Sequence, residues 1–270
     1  MAVITISRGS YSKGKEVAEG IAAKLGYDCI SRDILLEASD RFDIPEIKLL
    51  HAIHDAPSIL DRFTHGNVAF ITYIQSALLE HVKEGNVVYH GLAGHILLKG
   101  IEKVLKVRIL ADPGLRVAVV MEREKIGERE AGRMISKIDE ERRKWTRRLY
   151  GVDPRDPSLY DLVVCIDKIK VEGAIRLICE AASQEAFRLK EQDLQKLADL
   201  ALSCKVKSAL LDLDPNVTVT SEYGNVVVFT KGDDRKASKL EKKIVSLASK
   251  IEGIHNIEVH AGEAKLSGDA

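Results

Sequence analysis

The sequence has few aromatic residues, few cysteines, no excess of either charge and no long apolar run. Aromatic side chains make up 5% of the 270 residues, with one tryptophan, so the core must consist mainly of Ile, Val, Leu and Ala. No apolar run approaches the ~18–20 residues of a membrane span. The N-terminus lacks the basic and apolar regions of a secretory signal. We therefore expect a cytoplasmic protein without an integral membrane segment.

Basic and acidic residues balance, because lysine plus arginine and aspartate plus glutamate each number 41. This balance argues against a global electrostatic field for nucleic acid or an anionic membrane. The four cysteines show no C-x-x-C pairing, so we expect reduced, mostly buried thiols rather than a disulfide or metal site.

Short apolar runs alternate with helical patterns in the first two thirds of the chain, which predicts parallel strands joined by right-handed crossovers. We predict an α/β domain over residues 1–190, with a five-stranded, mostly parallel sheet and helices on both faces. The five predicted strands are Val3–Ser7, Cys29–Ile30, Val87–Tyr89, Val104–Leu110 and Leu162–Ile166. A helix over Val171–Lys190 is the predicted connector to the C-terminal part of the chain.

Residues 191–270 carry a different pattern, an α-β-β-α-β order typical of a small α+β domain. A helical face from Leu194 to Val206 precedes a hairpin that turns at Tyr223-Gly224, and a lysine-rich helix leads to a last strand over Ile254–His260.

The strongest motif lies directly after the first strand, where the spacing is G-x-x-x-x-G-K. A loop between a strand end and a helix N-terminus directs several backbone N–H groups at one point, which suits a phosphate. Glu16 stands where the usual motif has Ser or Thr, so the usual direct Mg²⁺ ligand is missing. A tight turn with solvated lysines is the alternative. The candidate nucleotide-binding residues are Arg8, Gly9, Ser10, Ser12, Lys13, Gly14, Lys15 and Glu16.

Several short motifs in the same order resemble the cytidylate kinase-like family of P-loop nucleoside monophosphate kinases. They are Ile4–Arg8, Gly14–Glu16, Arg32–Leu35, Asp112-Pro113 with Arg116-Val117, Asp139–Arg143 and Ser158–Val163. The resemblance covers about residues 1–180 and implies the use of ATP and Mg²⁺ and a nucleotide acceptor. It places Lys15 at the donor phosphates and Arg32 and Asp33 at the acceptor.

Two stretches depart from that family's pattern. Tyr11 and Lys13 stand where its loop has glycines. The strand near Val87 leads into His90-Gly91 instead of a Gly-Arg-Gly turn, so the arginine expected to face the acceptor is absent.

An arginine-rich segment, Asp139–Arg148, has five basic residues in ten. A lid helix that presents arginines would close over the phosphoryl group in transfer. The resemblance implies that role for Arg142 and Arg147, with Asp139 orienting one of them; an ordinary solvated helix is the alternative. His90 ends a strand at the edge where open α/β sheets bind ligands, so it is a candidate substrate-pocket residue or a structural histidine.

The C-terminal unit resembles the BON domain, through Val217–Thr220, Tyr223–Gly232 and Ile251–Ile257. That resemblance implies a protein or lipid ligand rather than catalysis. The whole sequence leaves two functions open: an ATP-dependent phosphotransferase acting on CMP, dCMP or a related small acceptor, or a catalytically silent nucleotide-binding regulator that signals through the BON-like domain.

Overall fold

A computed structural model describes residues 1–31, 66–91, 93–231, 234–248 and 250–262. In chain order, its elements are β1 (Val3–Arg8), α1 (Gly14–Leu25), β2 (Asp28–Ile30), α2 (Gly66–Val82), β3 (Val87–Tyr89), α3 (Gly94–Leu97), β4 (Val104–Ala111), α4 (Pro113–Glu124), α5 (Glu128–Tyr150), β5 (Leu162–Ile166), α6 (Val171–Ser183), α7 (Glu191–Leu210), β6 (Thr218–Glu222), β7 (Asn225–Thr230), α8 (Asp234–Ala248) and β8 (Asn256–Ala261).

Strands β1 to β5 form one parallel sheet in the order β2-β3-β1-β4-β5. Alternate residues of β1 enter different cores, as the two-residue period of a strand requires. Val3 belongs to the core beneath α2 and α3, and Ile4 and Ile6 belong to the core beneath α1 and α6. The predicted sheet with helices on both faces is therefore confirmed.

Local sequence explains where the helices next to the candidate site begin and end. The carboxylate of Asp112 accepts hydrogen bonds from the N–H groups of Gly114 and Leu115, which caps α4, and Pro113 occupies its first turn. Gly26 and Gly151 end α1 and α5 in the left-handed conformation, with φ of 68° and 71°.

The C-terminal strands form a second sheet in the order β6-β7-β8. Strands β6 and β7 are antiparallel, and β7 and β8 are parallel. Tyr223 and Gly224 both have positive φ, as a two-residue hairpin turn requires. The small α+β order is confirmed, whereas the BON resemblance stays a prediction.

The predicted connector helix is too long. Helix α6 ends at Ser183, a 3₁₀ turn covers Glu185–Phe187, and the N–H of Leu189 donates to the carbonyl of Met1. This extended segment is therefore hydrogen-bonded to the N-terminus of the chain, a tertiary contact that no local sequence pattern predicts.

Helix α7 packs along α2, so one apolar core runs across residue 190. Leu197, Ala201 and Cys204 of α7 lie in the same cluster as Phe70 of α2 and Trp145 of α5. The division into residues 1–190 and 191–270 stays a prediction. In the helices that the structure describes, none is both long and apolar enough to cross a membrane.

Candidate nucleotide-binding site

The loop between β1 and α1 is anchored to the sheet by hydrogen bonds from both of its ends. The N–H of Gly9 donates to the carbonyl of Ile109 in β4, at 3.0 Å. The Ser12 hydroxyl donates to the carbonyls of Gly9 at 2.9 Å and of Ile109 at 3.2 Å. Ser10 and Ser12 are both buried. These contacts hold the loop in one shape at the carboxyl edge of the sheet, where ligands of open α/β sheets bind.

Two non-glycine residues of this loop adopt the left-handed conformation, Tyr11 with φ 55° and Lys13 with φ 59°. That backbone favours glycine, which explains why a glycine-rich loop is the usual solution at this place. The Tyr11 side chain has a packing role. Its ring joins an apolar cluster with Val120 of α4 and Ala131 and Ile135 of α5. The loop is therefore packed against the helical hairpin formed by α4 and α5.

A carboxylate from α5 binds the same loop. Asp139 Oδ1 accepts hydrogen bonds from the Ser10 N–H at 3.2 Å and from the Ser10 hydroxyl at 2.6 Å. Asp139 Oδ2 pairs with the guanidinium of Arg116 in α4. Arg116 also donates to the Ser10 carbonyl at 2.8 Å and to the Ser10 hydroxyl at 2.7 Å. Asp139, Arg116 and Ser10 thus form a closed triangle, which we call the loop triad.

Charge and hydrogen bonding set the ionisation of Asp139. Burial opposes its charged form, but the hydrogen bonds from Ser10 and Arg116 outweigh that effect and hold the pKa of Asp139 below its usual value. The carboxylate is an anion that already accepts loop donors. Its contacts fix Ser10 and Arg116 relative to each other at the loop.

The predicted lysines and Arg8 surround the start of α1. Lys13 pairs with Glu16 at 3.6 Å and Lys15 pairs with Glu19 at 3.5 Å, both as exposed contacts within the helix turn. A Cβ at Gly14 would lie 2.8 Å from Cβ of Arg8, so only glycine lets the Arg8 side chain pass the helix N-terminus. These groups could hold the phosphates of ATP.

No metal ligand set accompanies them in the part of the chain that the structure describes. Glu16, at the usual hydroxyl position, faces Lys13, and the described residues contain no group of three or more His, Cys, Asp or Glu side chains suited to a metal ion. All four cysteines are free thiols; Cys179 and Cys204 are buried, Cys29 is half-buried and Cys165 is exposed.

The arginine-rich segment is helical, as predicted, and its members are spread around α5. Asp139 orients Arg116 of the neighbouring helix, a partner that sequence reasoning did not assign to the site. Arg142 is exposed. Arg147 pairs with Asp153, which follows α5, at 2.8 Å. The signal for Arg116 was present in the Asp112–Val117 motif, but no local pattern predicts its contact with Ser10, which lies 106 positions away in the sequence.

His90 lies beside the loop and is buried, with 5% of its surface exposed. Burial, followed by the charges of Arg8 and Lys15, lowers its pKa to about 4, although Glu19 opposes them. Its Nδ1 is buried and has no hydrogen-bond partner among the described residues. His90 is therefore a neutral imidazole next to the cations of the loop. The predicted acceptor residues Arg32 and Asp33 lie outside the described residues.

A strand, an anchored loop, a helix N-terminus and converging cations define a P-loop nucleotide-binding protein of the α/β class. The sequence model of the cytidylate kinase-like family matches residues 3–168, and the chain belongs to that family. The match ends before α6, so it does not cover the C-terminal unit.

Individual relatives agree with this assignment. The chain is 34% identical to the cytidylate kinase of Pyrococcus horikoshii over 100 residues, which are 37% of this chain and 51% of that protein. It is 28% identical to the cytidylate kinase of Archaeoglobus fulgidus over 195 residues, 70% of this chain and 99% of that one. The chain thus spans about half the length of the Pyrococcus relative that it matches.

A solved structure of an uncharacterized protein from Eubacterium ventriosum is similar with a TM-score of 0.52 and 21% identity. The similarity covers 68% of this chain and all of that one. At this identity it supports the fold alone.

Proposed function

We propose that the protein is an ATP-dependent phosphotransferase of the nucleoside monophosphate kinase type, with CMP, dCMP or a related small monophosphate as acceptor. The observation that carries the proposal is the loop between β1 and α1, which is anchored to β4 and held in place by the loop triad. Family membership and the cytidylate kinase relatives support the same reaction class.

Phosphoryl transfer depends mainly on the positioning of the reactants and on cations that stabilise the transferring phosphoryl group. Different residues of the site have these roles. The loop N–H groups, Lys15 and Arg8 hold the donor phosphates. Asp139 is a positioning residue, because it fixes Arg116 and Ser10 relative to each other. Arg142 and Arg147 act from α5 as lid cations. Mg²⁺ neutralises phosphate charge when bound, and we assign it no protein ligand, since Mg²⁺ is commonly held by phosphates and water.

The direct test is transfer of phosphate from ATP to a panel of nucleoside monophosphates. Lys15→Ala should weaken ATP binding in isothermal titration, because it removes a positive charge from the phosphate site. Lys24→Ala is the matched control, since Lys24 lies in the last turn of the same helix. Equal ATP affinity of wild type and Lys15→Ala would show that the loop does not cradle phosphate.

One observation favours the regulator alternative: the core shared by α2 and α7 couples the nucleotide-binding part to the C-terminal unit. A regulator would bind ATP, transfer nothing to any acceptor, and change hydrogen exchange in β6–β8 when ATP is added. Transfer to any monophosphate in the panel at an enzymatic rate excludes this alternative. For the C-terminal unit we propose a protein or lipid ligand, to be tested by pull-down and by vesicle flotation.

A further inference from the structure

A second polar cluster lies on the face of the sheet opposite α1 and α6, and it shares no residue with the loop triad. Its members are Ser7 at the end of β1, Arg108 in β4, His95 in α3 and Tyr160 just before β5. Ser7 and Arg108 are direct neighbours in the β1–β4 register. Ile6, Val107 and Ile109 enter the core beneath α1 and α6. The side chains of Ser7 and Arg108 therefore point to the opposite face, towards α3.

Hydrogen-bond chemistry fixes the roles in this cluster. The Tyr160 hydroxyl lies 2.8 Å from the carbonyl of Pro154 and 3.2 Å from the hydroxyl of Ser7, and it donates its one proton to one of these two oxygens. The Tyr160 oxygen then accepts from Arg108 Nη1 at 3.1 Å, and His95 Nε2 at 3.3 Å is left as a donor. Arg108 Nη1 also donates to the Ser7 hydroxyl at 3.2 Å. The ring of Tyr160 lies 5.4 Å from the guanidinium carbon of Arg108.

One side of this guanidinium is thereby fixed by hydrogen bonds, and the other side makes none to the described residues. Both hydrogen bonds of Arg108 leave from Nη1, whereas Nη2 and Nε donate to no described residue. Arg108 is half-buried, so its side chain is not sealed in the core. No carboxylate pairs with Arg108 within the described ranges. A guanidinium has a planar fork of donors that matches two oxygens of a phosphate.

Among the described residues, no acidic side chain compensates the positive charge of Arg108. His95 is buried, and burial, together with the charges of Arg108 and Lys106, lowers its pKa to about 4. His95 is thus neutral near pH 7 and adds neither a counter-charge nor a second cation. A fixed cation without an acidic partner is a binding site for an anion.

The register places Arg108 beside the strand that leads into the phosphate-binding loop. Ser7, the strand neighbour of Arg108, precedes Arg8 and Gly9, the residues that open the phosphate-binding loop. In-line transfer requires the acceptor beside the donor phosphates at the same sheet edge. We infer that Arg108, held by Ser7 and Tyr160, binds the phosphate monoester of the acceptor nucleotide.

This inference rests on the proposed function for the identity of the acceptor, and binding tests it without turnover. Isothermal titration of the full chain compares nucleoside monophosphates (CMP, dCMP, UMP and AMP) with their unphosphorylated nucleosides. We expect Arg108→Gln to weaken the tightest monophosphate by about tenfold or more, as for loss of a charge-assisted bidentate pair. Its nucleoside and ATP should bind as before. Arg108→Lys keeps the charge but loses the fork, and should give a smaller loss.

Lys106→Gln is the matched control, since it removes a cation two residues earlier on the same strand and should leave monophosphate binding unchanged. Equal monophosphate affinity in wild type and Arg108→Gln would overturn the inference. So would a wild type that binds no monophosphate more tightly than its nucleoside, or a loss in Lys106→Gln as large as in Arg108→Gln. If Arg108→Gln does not fold, Arg108→Lys decides by the same comparison. Suppose that the wild type binds a monophosphate but transfers no phosphate, while Arg108→Gln selectively loses monophosphate binding. That result would uphold this site and refute the kinase proposal.

Discussion

At the scale of single residues, Asp139 is the group whose ionisation joins α5 to the loop. Because its pKa is lowered in the folded chain, the contact adds stability above the unfolded pKa of about 3.9. That contribution is lost as pH falls through the lower folded pKa. We predict that Ser10→Ala raises the pKa of Asp139, because one hydrogen bond to the charged form disappears. A ¹³C NMR titration of the carboxyl carbon measures this; Ser136→Ala, an exposed serine of the same helix, should not change it.

Two buried histidines predict a pH-dependent stability at the same scale. His90 and His95 have folded pKa values of about 4 against 6.5 for a free imidazole. Between these values the unfolded chain binds more protons, so stability falls as pH drops from 6.5 towards 4. Each histidine contributes a slope of at most about 1.4 kcal/mol per pH unit.

Denaturant unfolding at about pH 7 and about pH 5 measures the effect of these histidines. The double variant His90→Gln/His95→Gln should reduce the difference between the two pH values, whereas His260→Gln, at an exposed position of β8, should not. An unchanged difference in the double variant would contradict the prediction.

Sequence reasoning reached the loop but not its partners. The G-x-x-x-x-G-K spacing is local, so Ser10 and Ser12 could be selected directly. The loop triad joins residues separated by 106 and 129 positions, and only the packing of α4 against α5 brings them together. The same applies to Arg108. In the sequence it is only a polar residue within a strand, and its contacts with Tyr160 and Ser7 appear only in the fold.

At the scale of elements, α5 carries the test of the lid. Arg142→Ala should lower the turnover rate by roughly a hundredfold and ATP affinity far less, because the cation acts on the phosphoryl group in transfer. In the double variant Arg142→Ala/Arg147→Ala, the loss of turnover should be smaller than the sum of the two single losses, expressed as free energies, if both arginines contact one group.

Lys137→Ala, a basic exposed position of the same helix, is the control for the lid. If α5 is a surface helix without catalytic function, each of these substitutions should change the free energy of unfolding by less than about 0.5 kcal/mol and leave turnover unchanged. Turnover that is unchanged in the double variant would remove the lid assignment.

Elements were predictable where their signals are local. The strands Val87–Tyr89 and Leu162–Ile166 match their predicted bounds, because each is a continuous apolar run in the sequence. The first is buried throughout, whereas the second is an edge strand that exposes Val163 and Cys165. The end of α6 was not predictable, because no glycine or proline marks it. Gln184 has extended backbone, and the chain continues to the contact between Leu189 and Met1. A pairing between the two ends of the predicted first domain has no pattern in the sequence.

At the scale of the whole molecule, one apolar core continues across residue 190, where the sequence pattern changes from α/β to α+β. The helical face of α7 was predicted, but the helix is long enough to serve two cores. Its first half, with Leu197 and Ala201, packs with α2, and its second half, with Val206 and Leu210, packs with the β6–β7 hairpin. One helix therefore contributes apolar side chains to both cores.

The shared helix predicts how truncation affects the fold. A chain ending at Lys190 keeps all five strands of the first sheet but uncovers the part of α2 that Leu197, Ala201 and Cys204 bury. A chain ending at Leu210 keeps that cover. We expect both to fold, since the sheet retains its own helices, with a lower melting temperature for the shorter chain because apolar surface returns to water. Calorimetry on the two chains measures the difference. Equal melting temperatures would mean that α7 contributes only to the C-terminal unit, and a shorter chain without a cooperative transition would mean that the first core needs α7 to form.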